Sequence, residues 1–125
     1  MKILIADNNE TLGELIRFKL EESGGIETTL VNDGKKALNK LNQSTFDLVI
    51  TDILLPFYSG LELIHTINKR SSSNRPKIIV LTQIHNENTV TKAFELGIND
   101  YITKPCDLDF LFIQVNKLLN KTYKG

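Results

Sequence analysis

Phe46-Asp47-Leu48-Val49-Ile50-Thr51-Asp52-Ile53-Leu54-Leu55-Pro56, followed at once by a loop that closes on Gly60, is the stretch on which the fold turns. A short apolar run with polar ends fits a strand buried on both faces, as strands of a parallel sheet are. Asp52 stands at the C-terminal tip of that run and faces a Pro/Gly loop. Open α/β sheets place their ligand sites there. Outward from this strand, Ile3-Leu4-Ile5-Ala6 ends on Asp7, and Tyr101-Ile102-Thr103 ends on Lys104. Two carboxylates and one ammonium at three strand tips can gather a divalent cation and a phosphoryl group. The most apolar run, Ile78-Ile79-Val80-Leu81, ends on Thr82, which adds a hydroxyl.

Helical patterns separate the runs. Glu10 to Ser23 carries Leu12, Leu15, Ile16 and Leu20 on one face and ends at Gly24-Gly25, as helices closed by glycine do. Ile26 to Val31 reads as a strand, Asn32-Asp33-Gly34 as a turn, and Lys35 to Leu41 as a helix. Leu48 to Thr51 is the third strand. Leu61 to Lys69 is the third helix, with Leu61, Ile64 and Ile67 in phase. Asn88 to Leu96, closed by Gly97, is the fourth, and Asp107 caps a last helix carrying Leu108, Leu111, Phe112, Val115, Leu118 and Leu119. Ser71-Ser72-Ser73-Asn74 reads as a polar loop. Five strands alternating with five helices predict an α/β fold of the flavodoxin-like (βα)5 kind, a three-layer sandwich whose parallel sheet runs in the order 2-1-3-4-5. In that order Asp7 and Asp52 are neighbours, and Lys104 reaches in from the other side.

Composition narrows the function. The chain has 125 residues, with 41% hydrophobic and 24% charged, and Lys+Arg balance Asp+Glu at 15 each. This is the size of one domain, residues 1–125, with no basic excess of the kind that binds nucleic acid directly. Cys106 stands alone, so no internal disulfide framework is expected and a reducing compartment fits. No apolar stretch approaches the ~20 residues of a membrane span, and no signal-peptide pattern opens the sequence. A cytoplasmic protein without membrane contact is expected. His65, His85 and Cys106 have no partners at a telling spacing, and Phe110 and Phe112 read as core or helix-surface residues.

At nearly full length the sequence resembles the response-regulator receiver domain of two-component signalling (CheY-like). The resemblance rests on Lys2-Ile3-Leu4-Ile5-Ala6-Asp7, on Asp47-Leu48-Val49-Ile50-Thr51-Asp52 with Pro56 and Gly60, on Val80-Leu81-Thr82, and on Gly97-Ile98-Asn99-Asp100-Tyr101-Ile102-Thr103-Lys104-Pro105. It implies a phosphorylation-dependent switch. Asp52 would be the phosphoacceptor, taking its phosphoryl group from a histidine kinase or phosphotransfer protein. Asp7, Asp52 and the backbone carbonyl of Leu54 would hold Mg²⁺. Thr82 and Lys104 would engage the phosphoryl oxygens, and Pro105 would follow Lys104 through a cis bond. Tyr101 would turn with the state of the switch, and an effector protein would read the face of helix 4, strand 5 and helix 5. Such a domain catalyses only its own phosphorylation and dephosphorylation. Phosphoryl transfer needs positioning and charge neutralisation more than covalent help, which agrees with these residue types.

One position departs from the family pattern. Where a second acid commonly follows the first strand, this chain has Asn8, whose amide oxygen can ligate Mg²⁺ without a negative charge. Weaker Mg²⁺ binding is the expectation, and a pseudo-receiver that works as an interaction module without phosphate is the alternative. Gln83 after Thr82 is bulky and could crowd the pocket. A haloacid-dehalogenase-type phosphatase is a more distant reading, because Asp7-Asn8-Asn9-Glu10-Thr11 lacks the second acid of its motif. A nucleotide-binding flavodoxin relative lacks its phosphate-cradling loop, and neither glycine-rich phosphate motif is present.

Overall fold

The computed structural model describes residues 1–71, 73 and 75–119. The strands are β1 (Lys2–Ala6), β2 (Glu27–Val31), β3 (Leu48–Thr51), β4 (Lys77–Thr82) and β5 (Asp100–Thr103). Between and after them run α1 (Glu10–Glu22), α2 (Gly34–Gln43), α3 (Gly60–Asn68), α4 (Glu87–Glu95) and α5 (Leu108–Leu119). All neighbouring strands pair in parallel, in the order β2-β1-β3-β4-β5. Element existence, type and order match the sequence expectation, with ends displaced by a residue or two. Ser72 and Asn74 of the expected polar loop lie outside the described residues.

Alternation along the strands sorts the core into two layers. Leu4, Val49, Ile78 and Val80 point to one side and pack with Ala37, Leu41, Leu63, Ile64, Ile67 and Ala93 of α2, α3 and α4. Ile3, Ile5, Leu48, Ile50, Ile79 and Leu81 point to the other and pack with Ile16, Leu20, Leu111, Val115 and Leu119 of α1 and α5. Each fully buried aliphatic side chain of this kind stabilises by about 1.5–3 kcal/mol before the ordering entropy is counted. Two helical faces differ from expectation. Leu15 is 52% exposed, because the inward stripe of α1 follows Ile16 and Leu20 and turns Leu15 aside. In α3, Leu63 is fully buried beside Ile64, while Leu61 is only half-buried.

Side-chain caps fix where helices begin, and so where the loops above the sheet end. Asn9, Asp33, Ser59 and Asn86 each accept a backbone N–H at the N-terminus of α1, α2, α3 and α4. Ser59 and Glu62 form a reciprocal capping box, and such caps contribute roughly 1 kcal/mol each. Asp107 Oδ1 accepts from Asp109 N at 2.8 Å, as its expected capping role requires.

Candidate functional site

The strand ladder continues one residue past the strand ends, and that continuation builds the site. Asp7 N donates to Val31 O at 3.0 Å, Asp52 N to Ala6 O at 2.9 Å, and Lys104 N to Thr82 O at 2.8 Å. The three charged residues are thereby set on the same end of the sheet by backbone bonds. Their side chains converge. Lys104 Nζ lies 2.8 Å from Asp52 Oδ2 and 3.0 Å from Asp7 Oδ2. It also donates to Asp7 Oδ1 at 3.2 Å. Asp7 and Asp52 are only 2% and 6% exposed, so these charges are held out of bulk water.

Each carboxylate is steered further by the loop behind it. Asn9 N donates to Asp7 Oδ1 at 2.8 Å, and Leu54 N donates to Asp52 Oδ1 at 3.1 Å. Charge-assisted bonds of this kind fix a carboxylate more firmly than neutral ones. Burial pushes the Lys104 ammonium towards neutrality, but its hydrogen bonds to Asp52 and Asp7 and their charges outweigh that, so its pKa stands above the ordinary lysine value. The lysine is therefore a permanent cation at physiological pH.

Two carboxylates against one ammonium leave one negative charge uncompensated in a nearly buried pocket. That imbalance suits a further cation, and the available donors are hard oxygens, which Mg²⁺ prefers. Asp7, Asp52 and the Leu54 peptide border the pocket, and Asn8, next to Asp7 in sequence, is exposed. Among the described residues, no set of three or more acidic, histidine or cysteine side chains forms a metal cluster.

Thr82 is fully buried at the tip of β4, and its Oγ1 accepts a long 3.4 Å bond from Ile84 N. Tyr101 Oη donates to Ile84 O at 2.6 Å. The peptide groups of Ile84 are thus held from the Thr82 side and from the Tyr101 side. Burial and the Asp52 charge raise the Tyr101 pKa, so its phenol stays a proton donor. Sequence reading named Thr82 and Tyr101 but missed Ile84, because its part is played by backbone atoms that no residue type announces. Gln83, which follows Thr82, is exposed. His65 and His85 are exposed, and Cys106 is half-buried with its thiol pKa raised by burial and by Asp107. The Lys104–Pro105 peptide bond is cis.

A sequence model described as the response regulator receiver domain matches residues 3–116. The transcriptional regulatory protein PcoR of Escherichia coli is 32% identical over 120 residues, which are 96% of this chain and 52% of PcoR. Response regulator RR06 of Streptococcus pneumoniae is 31% identical over 98% of this chain and 55% of its own length. The chain spans about half the length of the curated relatives it matches. Among solved structures, the receiver domain of the Francisella response regulator 1452 superposes with a TM-score of 0.86 at 32% identity, covering 98% of each chain.

Proposed function

Because this chain belongs to the response regulator receiver domain family, we propose that Asp52 is its phosphoacceptor and that residues 1–125 work as a phosphorylation-dependent signalling switch. The observation that carries the assignment is the Lys104 ammonium held 2.8 Å from Asp52 Oδ2. It places a cation where a phosphoryl group on Asp52 would bring negative charge. A carboxylate oxygen of Asp52 attacks the phosphorus of a phosphohistidine carried by a kinase or phosphotransfer protein. The new O–P bond forms as the P–N bond breaks, and the imidazole leaves with its electron pair and takes a proton from solvent. Lys104 neutralises the oxygens of the transferred group, and Thr82 donates its hydroxyl to them. Asp7, Asp52, the Leu54 carbonyl and the Asn8 amide would hold Mg²⁺, which supplies further charge neutralisation on those oxygens. The domain is a signalling module and not a turnover enzyme.

Intact-mass measurement after incubation with acetyl phosphate and Mg²⁺ tests this reading. One phosphoryl addition, removed by hydroxylamine as an acyl phosphate should be, is the expected result. No addition under those conditions would favour the pseudo-receiver, to which Asn8 points.

Asn8 also sets the strength of cation binding. Asn8→Asp should tighten Mg²⁺ binding by about tenfold or more, since a charge contact near a surface is worth up to ~4 kcal/mol before desolvation offsets it. It should also lower the stability of the metal-free protein through carboxylate repulsion. A calorimetric titration with equal affinities in both proteins would show that Asn8 faces away from the cation.

Phosphorylation would reach the partner surface through Ile84. When the Thr82 hydroxyl turns to the phosphoryl oxygens it would release Ile84 N, and a turn of Tyr101 would change its hold on Ile84 O. The loop before α4 would then be tethered differently, and the α4, β5 and α5 face would be rebalanced. Phe94, Phe110 and Ile113 expose apolar surface on α4 and α5 for an effector to read. A two-state element biased by phosphate is what a switch requires. Amide hydrogen exchange with and without beryllofluoride should therefore change at Ile84 and across residues 87–103, and Thr82→Ala should reduce that change. Differences confined to the Asp52 loop would refute the route.

A further inference from the structure

The turn between β3 and α3 holds a bulky residue in a backbone conformation that suits glycine. Phe57 has φ of 70°. Tyr58 N closes the tight turn onto Pro56 O at 2.9 Å, with Phe57 at its centre. A three-residue turn with positive φ at the centre is rare and strained, and for a bulky side chain it costs of order 1–3 kcal/mol. The turn is firmly anchored. Gly34 N also donates to Pro56 O, at 3.0 Å, and a Cβ on Gly34 would meet Tyr58 O at 1.9 Å, so α2 and this turn are fitted to one another by backbone.

The strained side chain contributes little to the fold. Phe57 is 75% exposed, and the Lys35 ammonium lies 6.0 Å from its ring centroid. Leu54, two residues after the acceptor, is 55% exposed, and Tyr58 is 41% exposed. Glycine at position 57 would relieve the strain and remove apolar surface from water. The use of this ring therefore lies outside the chain.

We propose that Phe57 is an anchor for the protein that delivers the phosphoryl group, gripping the surface around its phosphohistidine. This rests on the assignment of Asp52 as acceptor. The sheet faces are covered by helices and Asp52 is nearly buried, so an imidazole can reach it only from the open end of the sheet. A protein carrying that imidazole approaches over the loop that follows β3, in which Leu54, Phe57 and Tyr58 are exposed. The rigid turn presents the ring already positioned, which reduces the ordering cost of binding, and buried aromatic anchors dominate interface energetics. Lys35 beside the ring favours an acidic residue next to the apolar contact on the donor. A small phosphodonor needs none of this surface.

The experiment compares two donors with the same P–N bond. One is free phosphoramidate. The other is an autophosphorylated histidine-kinase core, chosen as the fastest donor to the wild-type chain from a panel. Phe57→Gly should be labelled by phosphoramidate at the wild-type rate, melt no lower than wild type, and take phosphate from the kinase core with kcat/KM reduced about tenfold or more. Phe57→Ala, which keeps the strain and loses the ring, should show the same selective loss, and Phe57→Tyr should restore transfer. Wild-type kcat/KM from the kinase core in Phe57→Gly would overturn the anchor while leaving Asp52 as acceptor. If such unchanged transfer came with loss of self-association on sedimentation, the patch would belong to a second copy of the chain. A wild-type protein that neither donor labels would overturn both the anchor and the reading on which it rests.

Discussion

Asp52→Asn should abolish the acyl-phosphate adduct completely, from acetyl phosphate and from any protein donor alike. The effect is all-or-none because an amide oxygen is a poor nucleophile, and Asp52 is the acid whose loop exposes the β3 tip to the open end of the sheet. The nearest rival is Asp7, which shares the same lysine at 3.0 Å. Its Oδ1 already accepts Asn9 N as well as Lys104, so it is bound into the loop that follows β1. Peptide mapping of the labelled protein separates the two. A phosphoryl group that persists in Asp52→Asn and maps to residues 2–9 would move the acceptor to Asp7 and overturn the assignment. The exchange should leave the fold in place, since Lys104 keeps Asp7 as a partner.

Gly60→Ala should produce a large loss of stability from a single methyl placed against the Asp52 backbone. A Cβ at this position would stand 2.1 Å from Asp52 O and 2.8 Å from the Ile53 Cα. Both are backbone atoms, so no side chain can swing away. Gly60 N also donates to Ile53 O at 2.9 Å, which ties the start of α3 to the segment just after the acceptor. Relief requires α3 to back off or the Asp52 peptide to move. Overpacking of this kind costs about 3 kcal/mol, a large share of the roughly 5–15 kcal/mol that holds a domain together. The melting temperature should fall by about 10 °C or more. The acceptor should also lose phosphorylation rate, because its backbone is the obstacle. A variant that melts within about 2 °C of wild type would show that the turn can yield without cost.

The parts of this protein that were legible in its sequence share a physical reason. Asp7, Asp52, Thr82 and Lys104 each close an apolar run, and parallel pairing in register brings the ends of such runs to one edge. Residue type and strand-end position were enough. The parts that were not legible depend on backbone geometry or on exact helical phase. Leu15 has the same character as Leu12 and Ile16, and only the roll of α1 on the sheet turns it outward. Ile84 links Thr82 to Tyr101 through its N–H and C=O, which every residue possesses. Phe57 carries a left-handed φ that its chemistry disfavours. Nothing in a Pro-Phe-Tyr-Ser-Gly string distinguishes it from a turn with its strain placed elsewhere.

Lys104 reaches an acid 97 positions earlier in the chain. It does so from β5, an edge strand held to the sheet only through β4. A nascent chain emerging from a ribosome can make β1, β2 and β3 and present both acids, yet it has no cation to set between them. Until β5 docks, the two carboxylates face each other without the lysine between them. If Asp52 is the acceptor, as proposed, competence to take phosphate depends on an edge strand that must pair after the acids are already in place.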